Sequence, residues 1–368
     1  MSINLNKMDL ELVDEHPYAM QIEVRNQPKE KDLIPDLPSK IANFSIDAPP
    51  LGVLQKKQVK VFAEQLVEHA EISKEIAKET ALKVMLNVFP NQASFIKMTK
   101  KQAQLPYGVA IKPPSIFIHE KTYLSEGYFK ITYGGLLFDI EQEKMIEIVH
   151  QKAHHENFVD AMAKEAELQK HFDHPHIVKI YDYNLYANKE GISIYAEKCD
   201  NTLQERMSSS YFAFSQKILI MRDIASALSY IHQQGYVHND IKLDNILIKD
   251  GRGKLSDFGY CHMIGSNYGG FKKIYAPEQK SNAMTPTTDK TDAYQYGLVL
   301  WHLFHPNPPP PYSFEYPENL FMDWTASSME EKAIQLLAFA CLNPIPEKRP
   351  SMENVQNYLR IIFEKLNQ

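Results

Sequence analysis

Between Asp240 and Asp257 the chain gathers a set of polar groups that few folds can use, in "YVHNDIKLDNILI" and "KLSDFGY". A carboxylate is followed two residues on by a lysine and five residues on by an asparagine; a second carboxylate then comes in Asp-Phe-Gly. Taken singly, Asp240 would suit a helix cap and Asn245 a turn. Together with Lys242 and Asp257 they suit phosphoryl transfer. A nucleophilic hydroxyl needs a proton acceptor, a role for Asp240. Charge builds on the transferred phosphoryl group, so a cation beside the base helps, a role for Lys242. Hard oxygen ligands must hold Mg²⁺ (or Mn²⁺) on the phosphates, a role for Asn245 and Asp257.

The rest of the chain must supply a scaffold for that site. Of its 368 residues, 44% are hydrophobic, enough for a real core and too many for a disordered chain. A net charge of −6 favours neither nucleic acid nor an anionic membrane as a partner. Cys199, Cys261 and Cys341 are odd in number and widely spaced, which argues against a disulfide framework or a zinc site. Neither a signal peptide nor an apolar run of roughly 18 residues is present, so no membrane span is expected. These features together predict a cytoplasmic protein.

Residues 1–52 are charged and proline-punctuated, and read as an extended or partly disordered segment. Residues 53–114 read as a helical extension. Val59, Phe62, Leu66, Ile72, Ile76 and Val84 recur at amphipathic spacings, and a shorter helix is expected between Pro90 and Pro106. From residue 115 the period becomes that of strands, in "SIFIHEKTYLSEGYFKITYGG", "KMIEIVHQKA", "HIVKIYDYNLY" and "ISIYAEK", with the helix "NFVDAMAKEAELQKHF" between the second and third. After residue 203 the pattern is mostly helical. This order predicts an α+β, two-lobed architecture, with a small β-rich lobe over 115–200 and a large helical lobe over 201–368.

The segment around Asp240 and Asp257 resembles the catalytic and metal-binding loops of the eukaryotic-like protein kinase superfamily. "YAPE" (Ala276 to Glu278), "TDAYQYG" (Asp292, Gly297), "PEKRP" (Arg349) and "HPHIV" follow the family's pattern across residues 115–366. The resemblance implies a Ser/Thr protein kinase that uses ATP and acts on a protein substrate. Lys242, two residues after Asp240, favours the Ser/Thr class. Arg349 is expected to pair with Glu278. Counting back from Pro175 puts the glutamate of the small-lobe helix at Glu165, and aligning "IVHQK" with V-A-x-K makes Lys152 its partner, with Lys144 as the fallback. Gly127 is left of the glycine-rich loop, whose other two glycines are replaced by Ser125 and Lys130. Lys130 is a candidate to supply charge to the phosphates. Glu197 and Cys199 fall on the hinge that would meet adenine, Ala196 at the gatekeeper position and Leu247 on the pocket floor, with His150 where a small residue usually packs on the base.

Departures from the family pattern leave other readings open. Asn239 replaces the arginine that often receives an activation-loop phosphate, and Phe271 replaces a threonine near the end of that loop, so activation by loop phosphorylation is not expected. Similar H-N-D loops occur in kinase-like effectors of bacterial pathogens, which adds secretion into a host cytosol as an alternative location. Gln169 stands where the helix usually offers an apolar residue. This motivates the expectation that the N-terminal helices, or an activating or targeting partner bound through them, complete the small lobe. A pseudokinase acting as a binding module and a small-molecule phosphotransferase are the competing functions.

Overall fold

A computed structural model describes residues 53–366 apart from 70–72, 75–76, 79, 82–83, 85–93, 97–107, 113, 187–189, 209–211, 267–275, 282–285 and 306–325. Phe271, Ile72, Ile76 and the segment 1–52 lie outside the described residues. Seven antiparallel strands form the small-lobe sheet: β1 (Ser94–Ile96), β2 (Gly108–Lys112), β3 (Ser115–Glu126), β4 (Lys130–Asp139), β5 (Lys144–Ala153), β6 (Ile180–Leu185) and β7 (Ile192–Glu197). Their order is β1-β2-β3-β4-β5-β7-β6. β3 to β7 fall where the alternating, β-branched stretches predicted them. Ser94–Ile96, within the stretch expected to hold a short helix, is instead a strand paired with β2. Pairing with a neighbouring strand overrides weak local preference.

Helix α1 (Val53–His69) closes one face of this sheet. Phe62 and Leu66, one turn apart, are fully buried against Ile116, Ile118, Phe138 and Met145. The Phe62 and Phe138 rings lie 4.6 Å apart. Ala77, Ala81 and Val84 join the same cluster. Lys57 pairs with Glu143, and the Gln65 side chain accepts a hydrogen bond from the Met145 N–H. Residues before 115 therefore form part of the small-lobe core.

The opposite face of the sheet holds a buried polar group. His119 and His150 stack with ring centroids 4.0 Å apart; His119 is hydrogen-bonded to Tyr195 Oη and His150 to Ser193 Oγ. Burial, reinforced by Lys152, pushes His119 down to about 3, and burial, His119 and Lys152 hold His150 well below the usual histidine range. A histidine depressed in the fold stays neutral there while the unfolded chain takes up a proton. The stability it contributes is complete above pH 6.5 and is lost as pH falls below it. Lowering the pH from 7.5 to 5 should destabilise the fold by about 2 kcal/mol through His119 alone. Denaturant midpoints at the two pH values measure this, and His119→Gln should shrink the loss.

Helix α2 (Val159–His171) follows β5 through a 3-10 turn, Glu156–Phe158. It buries Val159, Met162, Ala166 and Gln169. Phe158, Ala161 and Leu168 are half-buried. The large lobe carries α3 (Leu203–Ser208), α4 (Phe214–Gln233), α5 (Pro277–Ser281), α6 (Asp289–Phe304), α7 (Met329–Cys341) and α8 (Met352–Leu366). Short strands β8 (Asn201–Thr202), β10 (Ile246–Lys249) and β11 (Arg252–Leu255) form one small sheet, and β9 (Tyr236–Val237) pairs with β12 (His262–Met263). Buried α6 is the axis of this lobe. A Cβ at Gly297 would lie 2.7 Å from Cys341 Cβ, so only glycine lets α6 approach the end of α7 this closely.

Candidate active site

The segment from His238 to Asn245 is held on α6 by its backbone. Buried Asp292 accepts hydrogen bonds from the His238 N–H (2.8 Å) and the Asn239 N–H (2.7 Å), and its carboxylate also meets His232 Nε2. Burial pushes the Asp292 carboxyl up, but His232, His238 and the backbone donor outweigh it and hold the pKa low. Gln295, one turn further along α6, accepts from the Ile241 N–H and donates to the Asn239 carbonyl. Asn239 itself is fully buried with φ 66°. Asparagine adopts this left-handed region more readily than most residues. Position 239 therefore serves the shape of the loop.

On this frame the polar side chains converge. Lys242 Nζ contacts the Asp240 carboxylate. Asn245 Nδ2 donates to the Asp240 carbonyl (2.8 Å) and carboxylate (2.9 Å), which leaves Asn245 Oδ1 as the oxygen available to a cation. Asp257 has φ 64°. Burial pushes its carboxyl up, yet Lys130, Lys242 and His238 outweigh this and keep it below the usual range. An ionised carboxylate and an amide oxygen are hard donors that fit Mg²⁺, whose remaining ligands would come from phosphate and water. Phe258 is buried, with its ring 4.8 Å from that of His238 and 5.5 Å from that of Phe172, which pins the turn after Asp257.

The structure corrects the expected lysine. Glu165 pairs with Lys130 Nζ at 3.0 Å, and not with Lys152. Residues opposite one another in an antiparallel pair share a face. Lys152 stands opposite Ile131 and Lys130 opposite Ala153, so the two lysines point to opposite sides of the sheet. Lys152 lies on the side of His150, 5.7 Å over the Tyr133 ring, and burial lowers its pKa. Lys144 is exposed at the far end of β5. Burial works against the charge on Lys130, but Glu165 and Asp257 outweigh it and raise its pKa, so it remains a cation. Burial and Asp257 push the Glu165 carboxyl up, only partly offset by Lys130.

The same parity moves His150 away from the expected base-packing position. Val149, on the α2 side of β5, clusters with Ala196, Cys199, Leu247, Met162 and Ala166. With Val149 in the place of the family's small residue, the strand-lysine position falls on Gln151. Val149/Gln151 and His150/Lys152 share the spacing of the alanine and lysine in V-A-x-K, so spacing alone does not choose between them; the register of β4 against β5 does. Gln295 was missed because its role requires knowing which segment lies beside α6.

Gln169 is buried, with its Nε2 donating to the Val178 carbonyl at 2.8 Å, so its polarity is satisfied and ties α2 to the segment before β6. The Glu197 side chain bonds Lys249 (2.9 Å) and Lys254 (2.8 Å), joining the end of β7 to β10 and β11 in the large lobe. Gly127 opens the β3–β4 turn, its N–H donating to the Lys130 carbonyl. Arg349, buried beneath α6, forms two 2.8 Å hydrogen bonds with the Glu278 carboxylate, as the resemblance implied. His174 and His176 bond to Ser226 and to the Gly253 carbonyl respectively, and no metal-binding group of three or more His, Cys, Asp or Glu occurs among the described residues.

A protein kinase domain matches residues 119–359, well over half of the chain. The chain belongs to the protein kinase family. It is similar to a probable serine/threonine-protein kinase of Dictyostelium discoideum, 27% identical over 264 residues, covering 66% of this chain and 16% of that protein. It is also similar to the dual serine/threonine and tyrosine protein kinases of Danio rerio (29% over 168 residues; 42% of this chain, 18% of that one) and Apis mellifera (33% over 144 residues; 38% and 14%). The chain thus aligns with less than a fifth of the length of these relatives. The kinase fold accounts for the two lobes, and no helix among the described residues is long and apolar enough to cross a membrane.

Ala196, at the expected gatekeeper position, is a small side chain buried beside Val149 and Leu247. ATP-competitive compounds carrying a bulky aromatic group should bind this kinase, and Ala196→Phe should weaken them by about tenfold or more while sparing ATP. Paired inhibition curves measure the ratio; equal affinity for both proteins would remove Ala196 from the pocket.

Proposed function

We propose that this kinase is catalytically active and transfers the γ-phosphoryl group of ATP to Ser or Thr hydroxyls of a protein substrate. The observation that carries this reading is the convergence of Lys130, Glu165 and Asp257 at one end of the site and Asp240, Lys242 and Asn245 at the other. In this reading Asp240 takes the proton of the attacking hydroxyl, while Lys242 stabilises the charge on the transferred group. Lys130, oriented by Glu165, binds the non-transferred phosphates. Asn245 and Asp257 would hold Mg²⁺, which screens the phosphate charge when bound. Val149 and Leu247 sandwich the adenine, and the backbones of Glu197 and Cys199 meet its edge. Asn239 offers no guanidinium to a phosphorylated loop, so the active arrangement does not depend on loop phosphorylation.

Loss of two loop glycines, at Ser125 and Lys130, favours the pseudokinase as the second reading, because it limits how closely backbone N–H groups approach phosphate. Purified full-length protein incubated with Mg²⁺, labelled ATP and generic protein substrates, beside Asp240→Ala, separates the two. Label incorporated into Ser or Thr only by the unsubstituted protein supports the kinase. Nucleotide binding with no transfer supports the pseudokinase, and transfer only to metabolites supports a small-molecule phosphotransferase.

A further inference from the structure

The turn between β3 and β4 would cover the nucleotide phosphates, and it is fastened at its tip. The Phe129 ring meets Phe158 edge-on, with centroids 5.0 Å apart at 82°, and Tyr128 lies 5.4 Å from the same ring. The Phe129 carbonyl accepts a hydrogen bond from the His154 N–H at 2.9 Å, and Glu126 lies 3.0 Å from His154 Nε2. Phe158 ends the 3-10 turn and begins α2. Lys130, the first residue of β4, directly follows Phe129, and its partner Glu165 is on α2. The strand and the helix are thus joined twice, by rings at the outer end and by an ion pair about 10 Å further along the helix axis. A lysine on β5 would leave the β3–β4 turn free to open without disturbing the ion pair. A lysine at the base of that turn does not.

We infer that Phe158 is a positioning residue that latches the nucleotide loop onto α2, so that loop closure and the Lys130–Glu165 pair form and break as one unit. Its functional consequence rests on the kinase reading; the latch itself does not. Tyr128 and Phe129 occupy a turn where glycines would otherwise give the backbone freedom. The two residues are 66% and 41% exposed even with Phe158 in place, so the contact restrains the loop at its tip and is not part of a buried core. Outward swing of α2 would carry Phe158 away from the loop, and opening of the loop would draw Lys130 from Glu165.

The test uses full-length Phe158→Ala, with Phe158→Leu as the conservative variant and Phe129→Ala breaking the same contact from the loop side. Amide hydrogen exchange in nucleotide-free protein should rise by about fivefold over residues 123–132 and 156–166 and remain unchanged in β5 and β7. Release of a fluorescent ADP analogue should speed up by about fivefold, and KM for ATP should rise with it, while kcat changes by less than about twofold. Phe158→Leu should recover part of each change, and Phe129→Ala should loosen the start of α2. Unchanged loop exchange in both alanine variants, or an equal rise throughout the small-lobe sheet, would overturn the latch. Loop exchange that responds in a protein with no phosphoryl transfer would retain the latch and reject the kinase reading. The reverse pattern would reject only the latch.

Discussion

Lys130→Met should lower kcat/KM for ATP by about 10²–10³-fold, whereas Lys152→Met should leave it within about threefold. The difference follows from the sheet. Lys130 Nζ lies 3.0 Å from Glu165 and is close enough to Asp257 for that carboxylate to raise its pKa, so it is the cation placed beside the proposed metal ligand. Lys152 faces His150 and Tyr133 on the other side. Removing Lys130 also leaves the Glu165 and Asp257 carboxyls facing each other without their shared counter-ion. Glu165 should then take up a proton more readily than in the unsubstituted protein, because Lys130 is the group that offsets the upward push of burial and Asp257. Steady-state kinetics of the two variants check the assignment, and a larger loss for Lys152→Met would reverse it.

Asp257→Asn should weaken Mg²⁺-dependent nucleotide binding and reduce phosphoryl transfer by about 10³-fold with little loss of stability. Asparagine tolerates the φ of 64° at this position, so the backbone turn is kept while the charge is removed. Titrating Mg²⁺ at fixed ATP should show a raised half-saturating concentration. An unchanged Mg²⁺ dependence would place the cation elsewhere. Asp240→Asn would differ in kind: nucleotide and Mg²⁺ binding should persist while transfer is lost, because in the proposed mechanism Asp240 acts on the hydroxyl and not on the phosphates.

The sequence alone determined the strands β3 to β7, the helical large lobe and the loop that carries Asp240, Lys242 and Asn245. These features are local: alternation sets the strands, and residues two to five apart in one loop remain near one another however the lobes pack. Asp257 was legible from its Asp-Phe-Gly motif, and the β10–β11 hairpin brings it back beside that loop. Glu165 was legible because Pro175 fixes the end of its helix in the chain. Its lysine was not legible in the same way. A shift of one residue along a strand turns a side chain to the opposite face, so Lys152 lies on the His150 side while Gln151 beside it faces the cleft. Only the register of β4 against β5 shows that Lys130 reaches Glu165. The strand at Ser94–Ile96, the packing of α1 on Phe138 and the grip of Gln295 on the Asn239 backbone are likewise contacts between segments far apart in the chain. Tertiary structure decided them because hydrogen-bond pairing and burial depend on which neighbour arrives, and no local pattern encodes that neighbour.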